Sequence, residues 1–186
     1  MRELLEACLD LDVLAEEVYR RFANDSDDPE LARLFEQMRA DEDQHSVWWT
    51  ELLGACIRGE IERPVTPDAR VVTYLRAVVE TVRCTLRTKF EGFTDEDRLA
   101  VAASLEYFDL DPVFDRLVFC ADPDGSKGCR AAVDAHVAHL ALAMESRGAW
   151  ADAPWSNDVR GVLENAPSVL KMRSDGTGGV GALSLG

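Results

Sequence analysis

Apolar side chains along the first sixty residues recur at the spacing of helices rather than the alternation of strands. Leu5, Cys8, Leu9, Leu11, Val13, Tyr19 and Phe22 step along residues 2–24, which predicts a first helix. The run Ser26-Asp27-Asp28-Pro29 stops it and starts another: Asp28 can accept from the free amides of the next turn, and Pro29 at the first helical position gives up no needed donor. The second helix then reaches about Ile57, with Leu31, Leu34, Phe35, Met38, His45, Trp49, Leu52 and Cys56 on one stripe. Pro64 and Pro67 punctuate the connection, after which Val71, Leu75, Val78, Val82, Leu86 and Phe90 define a third helix over 70–90, ended by Gly92. Thr94 followed by Asp95, Glu96 and Asp97 caps a fourth, expected from Asp95 to Cys120 with Pro112 as a bend inside it. A loop rich in Asp, Pro and Gly, from Ala121 to Gly128, leads into a fifth helix through Arg147. Beyond Gly148 the pattern predicts one short helix over 157–165, and SDGTGGVGALSLG reads as a flexible Gly-rich tail.

With no strand pattern anywhere, the expected class is all-α, and its helices carry an internal repeat. Asp12, Glu42 and His45 correspond to Glu106, His136 and His139 at a constant offset of 94 residues. Each half is therefore a helix with a carboxylate, then a second helix with a potential ligand 30 residues on and a histidine three beyond it. Positions i and i+3 lie about 60° apart around a helix, so Glu42 with His45, and His136 with His139, can each address one interior point. Two helical hairpins packed with these faces together would aim six metal-capable groups from four helices into one core, the way bundles hold two metal ions. Either pair alone occurs by chance; the weight comes from all three histidines of the chain falling inside the repeated frame. HExxH is absent, which excludes the zinc-hydrolase arrangement.

Charge narrows the partners. The formal charge is -15, and residues 1–66 hold seven Arg, no Lys and seventeen Asp or Glu. Nucleic acids and anionic membrane surfaces select for basic patches, so both are disfavoured; an acidic face could gather metal cations, or serve solubility alone. No stretch reaches the roughly 18 uninterrupted apolar residues of a membrane span, and the acids within MRELLEACLDLD rule it out as a secretion signal. Cys8, Cys56, Cys84, Cys120 and Cys129 form no CxxC pair and sit mostly within apolar helical patterns, which fits a reducing cytoplasm; Cys120 and Cys129 flank one loop, but the odd total argues against a disulfide framework.

The stretch LAEEVYRRFANDSDDPELARLFEQMRADEDQHSVWWTELL resembles the first helical hairpin of rubrerythrin-related ferritin-like proteins. There a helix ending in a Tyr motif, a D-P-E-L turn and an acidic ExxH helix recur, with the first carboxylate seven residues before the Tyr, here Asp12 before Tyr19. The resemblance extends over about residues 3–148 and is specific in the first hairpin, weaker in the second. It implies a ferritin-like four-helix bundle over 1–148, made of hairpins 2–58 and 95–148 joined by a crossover that contains the helix 70–90, followed by a C-terminal extension over 149–186. The rubredoxin-like domain of full rubrerythrins is missing, since no CxxC pairs exist. Two departures stand out. Asp12 is one methylene shorter than the family's Glu, which brings in Glu16, one turn on, as an alternative ligand; and His136 replaces a carboxylate, a loss that Asp109, three residues after Glu106, would restore. Tyr19, Trp49 and Tyr107 either line the site or belong to the core.

What the resemblance implies is a centre of two metal ions, iron first with manganese or zinc as alternatives, and an oxidoreductase of peroxidase or ferroxidase type acting on peroxide or O2 with an unidentified electron donor. Two other readings stay open. One is a non-catalytic bundle holding a single zinc or iron for stability or sensing. The other is cargo of a protein nanocompartment, since the ending VGALSLG is similar to short loading peptides. Acidic bundles with a long crossover often pair, so a homodimer is expected.

Overall fold

The computed structural model describes residues 1–61, 64–66, 69–89, 92–106 and 112–147. Among them are six helices: α1 (Arg2–Asp25), α2 (Pro29–Arg58), α3 (Ala69–Lys89), α4 (Asp95–Glu106), α5 (Pro112–Ala121) and α6 (Cys129–Ser146). No strand occurs among the described residues. The short helix and tail expected beyond 148 lie outside them, as do Phe90, Tyr107 and Asp109.

The helix boundaries follow from local chemistry. Asp28 caps α2 by accepting from the Glu30 and Leu31 amides at 2.8 and 3.4 Å, with Pro29 at the first helical position. Gly59 closes α2 at φ 71°, a left-handed conformation that costs glycine little. At α4 the side chains of Thr94 and Asp97 exchange bonds: the Asp97 amide donates to Thr94 Oγ1 at 3.2 Å, and the Thr94 amide to Asp97 Oδ2 at 2.9 Å. Buried Asp122 ties the loop before α6 by accepting from the Lys127 and Cys129 amides at 3.0 and 3.1 Å. Of the bent helix expected over 95–120, Asp95–Glu106 and Pro112–Ala121 are helical, and 107–111 lie outside the described residues.

The core is continuous. Leu4, Leu5, Val18, Tyr19 and Phe22 of α1 meet Leu31, Phe35, Met38 and Trp49 of α2, joined by Leu75, Leu99, Leu117 and Met144 from the later helices. Phe22 packs on Phe35 at 5.2 Å between ring centres and on Phe93 at 6.2 Å. On α3 the buried positions are Val72, Leu75, Val79 and Val82, with Val71, Val78 and Leu86 half-buried beside them. Of the cysteines, Cys8 and Cys129 are buried, whereas Cys84 is exposed. Helix contacts close a ring, α1 on α2, α2 on α6, α6 on α4 and α4 on α1, while α3 lies against α1 and α4 and α5 against α2 and α6. Among the described residues no helix is long and apolar enough to cross a membrane.

Candidate metal centre

Burying an ionisable side chain is costly unless it is paired, so the buried ones mark where the fold accepts that cost. Among the described residues six polar or charged side chains are buried, and five of them form one cluster: Asp12 at 9% exposure, Glu42 and His45 at 2%, Glu106 at 6% and His136 at 0%. They come from α1, α2, α4 and α6, the four helices of the ring. Each sits on its helix's apolar stripe, as Glu42 and His45 do between Met38 and Trp49.

Two groups of three could each hold an ion, Asp12 with Glu42 and His45, and Glu42 with Glu106 and His136; within each, one ligand atom per residue lies within 4.8 Å of the others. Glu42 belongs to both. Its Oε2 is 3.3 Å from His45 Nδ1 and its Oε1 is 3.1 Å from His136 Nε2, so its two oxygens face the two groups. Glu106 Oε2 lies 2.9 Å from the same His136 nitrogen. Yet neither oxygen sits where His136 Nε2 would complete a hydrogen bond, and that nitrogen, like His45 Nε2, is buried without a hydrogen-bond partner. The distances alone would suggest plain ion pairs. The missing hydrogen-bond geometry favours ligands converging on a shared point.

Surrounding side chains hold the carboxylates. Trp49 Nε1 donates to Asp12 Oδ2 at 2.6 Å, and the Tyr19 hydroxyl donates to Glu106 Oε1. Tyr19 and Trp49 are thus core residues that also hold candidate ligands. The outer nitrogen of His136, Nδ1, lies 3.0 Å from Asp41 Oδ2. Asp41 was not foreseen; its only signal in the sequence is its place beside Glu42 and four residues after Gln37, whose amide donates to Asp41 Oδ1 at 2.8 Å. The His45 ring packs 4.7 Å from Trp48 and 5.4 Å from His136, centre to centre.

Two predicted ligands stand elsewhere. His139 is exposed and lies outside both groups. The buried stripe of α6 runs through Val133, His136, Leu140 and Met144, and the three-residue step to His139 turns back by about 60° on the far side of His136. Glu16 is partly exposed and faces Arg39 at 3.8 Å across α1 and α2, leaving Asp12 as the carboxylate that α1 contributes. Asp109 lies outside the described residues.

The electrostatics of the cluster are those of a charge held among opposite charges. Burial works against an imidazolium at His136, but the Glu106 charge and the contacts with Asp41 and Glu42 outweigh it and raise its pKa well above 6.5. Burial likewise opposes ionisation of Glu42, and His136 and His45 overcome it, drawing the carboxyl from 4.5 to about 2. Asp41 is lowered too: burial pushes it up, and the bonds from His136 and Gln37 more than reverse this. Three carboxylates and two imidazoles form a donor set suited to iron, manganese or zinc, and an ion that displaced the His136 proton would meet two buried nitrogens without hydrogen-bond partners, His45 Nε2 and His136 Nε2. Set against protein-family models, curated proteins and solved structures, the chain matches none, so the reading of this centre rests on its own geometry.

Proposed function

We propose that the chain is a ferritin-like metalloprotein whose buried cluster holds two ions, iron in the first place, and that it acts as an oxidoreductase of the peroxidase or ferroxidase type on peroxide or O2. One observation carries this reading: Glu42 is shared by two buried three-residue groups drawn from the four helices of one ring. The resemblance of the first hairpin to rubrerythrin-related proteins agrees with it. A bound iron pair would supply redox chemistry toward a small oxidant. Asp12, Glu42, His45, Glu106 and His136 would hold it, Trp49 and Tyr19 would keep the outer carboxylate oxygens in place, and the apolar ring would exclude bulk water.

The exposure of His139 favours a second reading. It leaves the centre with five donor residues rather than six, which suits one ion retained for stability or sensing. Metal analysis of untagged protein from iron-supplemented cells, with absorption spectra before and after peroxide, separates the two. About two irons per chain and a peroxide-sensitive charge-transfer band are the expected result. A single zinc would support the structural reading, and protein free of metal after growth in ample iron would end both.

A further inference from the structure

We propose that the groove between α3 and α4 is a docking site for this chain's own C-terminal extension, filled by the apolar face of the helix expected over 157–165. No bound metal is needed for it. The groove holds about 510 Å³, and its walls are apolar: Tyr74, Val78 and Val82 of α3 line it together with Phe93 and, on α4, Ala100 and Val101. Its polar groups are already engaged. Thr85 and Ser104 donate to the Thr81 and Ala100 carbonyls of their own helices at 2.9 and 2.8 Å, and Asp97 Oδ2 accepts from the Thr94 hydroxyl at 2.8 Å. What remains for an occupant is hydrocarbon, including the Tyr74 ring at 40% exposure. Such a surface is stabilised by apolar side chains laid over it rather than by charge.

The described chain stops close to one end of that groove. Arg147, its last residue, pairs with Asp28, and Arg98 of α4 donates to the Asp25 carbonyl at 3.0 Å, so α6 ends and α4 begins at the same α1–α2 turn. Phe93, at the near end of the groove, packs on Phe22 in the last turn of α1 at 6.2 Å. Residues 148–186 follow, and in them Val159, Val162 and Leu163 stand at i, i+3 and i+4, one apolar face set among Asp158, Arg160 and Glu164. The lengths agree. From Tyr74 to Thr85 the groove runs along α3 for about 16 Å, and a helix over 157–165 is about 13 Å long. The intervening residues 148–156 can span up to about 30 Å, enough to carry that helix from the turn to any point of the groove. Charge counts against a second copy seated symmetrically on the same face. In a chain of net charge -15, α3 carries Arg70, Arg76, Arg83, Arg87 and Lys89 against one acid, Glu80, so two α3 helices laid together would repel. The extension instead brings Asp158 and Glu164 to this basic helix.

The test places a photo-cross-linking benzoylphenylalanine at Leu163 of the full chain and reads the products by mass spectrometry, in a mixture of unlabelled and 15N-labelled chains. Cross-links should join position 163 to the groove-lining peptides of α3 and α4 within one chain. In the unmodified protein, amides 159–165 should exchange with deuterium about 10-fold more slowly than in the double variant Val162→Asp, Leu163→Asp, which alters nothing in the described helices. Ala77→Glu sets a charge in the groove at an exposed position of α3, and should remove the cross-links and release the same amides while the helical circular dichroism stays unchanged. Cross-links between labelled and unlabelled chains would assign the groove to a second copy, and cross-links to other helices would seat the extension elsewhere; either result overturns the proposal. So would amides 159–165 that exchange as fast in the unmodified protein as in the double variant.

Discussion

The imidazole of His136 is the point on which protons and metal ions compete. Its pKa is raised, so in the metal-free chain its proton contributes stability that is fully present below 6.5 and is lost as pH rises through the raised value. Glu42 works in the opposite sense: its contribution is present above 4.5 and is lost as pH falls toward about 2. Metal-free protein should therefore be most stable between these two limits and melt earlier on the alkaline side. Iron or zinc uptake must displace the His136 proton, so metal affinity should climb with pH over the range where the metal-free fold weakens. Melting curves across pH with and without metal check both slopes; a metal-free melting temperature that climbs steadily into alkali would contradict the assignment. Tyr19→Phe removes the donor to Glu106 Oε1 and changes little else in shape. It should cost about 1–3 kcal/mol in urea unfolding of the metal-free chain, the usual penalty for an unpaired buried acceptor.

At the scale of the helix, α4 begins at the Thr94 cap and supplies Glu106 from its last described turn. Thr94→Ala removes the hydroxyl that accepts from the Asp97 amide and donates to Asp97 Oδ2, and should cost about 1 kcal/mol, visible as faster amide exchange in the first turn of α4. The element scale also explains what the sequence could and could not convey. The Asp28-Pro29 start of α2 and the Thr94 start of α4 were legible because caps are local and made by neighbours. The candidate ligands on α2 were legible because its apolar stripe straddles Glu42 and His45. The 94-residue offset was a weaker guide, since it matches positions and is blind to rotation. On α6 the stripe lies to the other side of His136, so the same three-residue step that keeps His45 inside turns His139 out. The positions of Val133, Leu140 and Met144 already held that information. Asp41 was not readable in the same way, because its partner lies 95 residues away and meets it only after α2 and α6 have packed.

For the molecule as a whole, the buried cluster gathers acids and histidines that could hold a metal ion. A ligand that binds only the folded chain stabilises it by about 2.7 kcal/mol at one hundred times its dissociation constant. Adding Fe(II) or Zn(II) under anaerobic conditions should therefore raise the melting temperature, and a chelator should reverse the gain. Asp12→Ala and His136→Ala should each remove much of that gain and leave a remainder, whereas Glu42→Ala should abolish it, since Glu42 serves both groups. Equal remainders in all three variants would speak against a shared ligand.

The two groups also differ in when they can exist. Asp12, Glu42 and His45 all lie on α1 and α2, within the first 58 residues, whereas Glu106 and His136 need Glu42 from that earlier segment to complete a set. During synthesis the first coordination group is available once α1 has closed on α2, long before α6 leaves the ribosome. An ion captured there would present a ready half-site to α4 and α6 as they arrive, so the metal would act as a template for assembly before it served any chemistry.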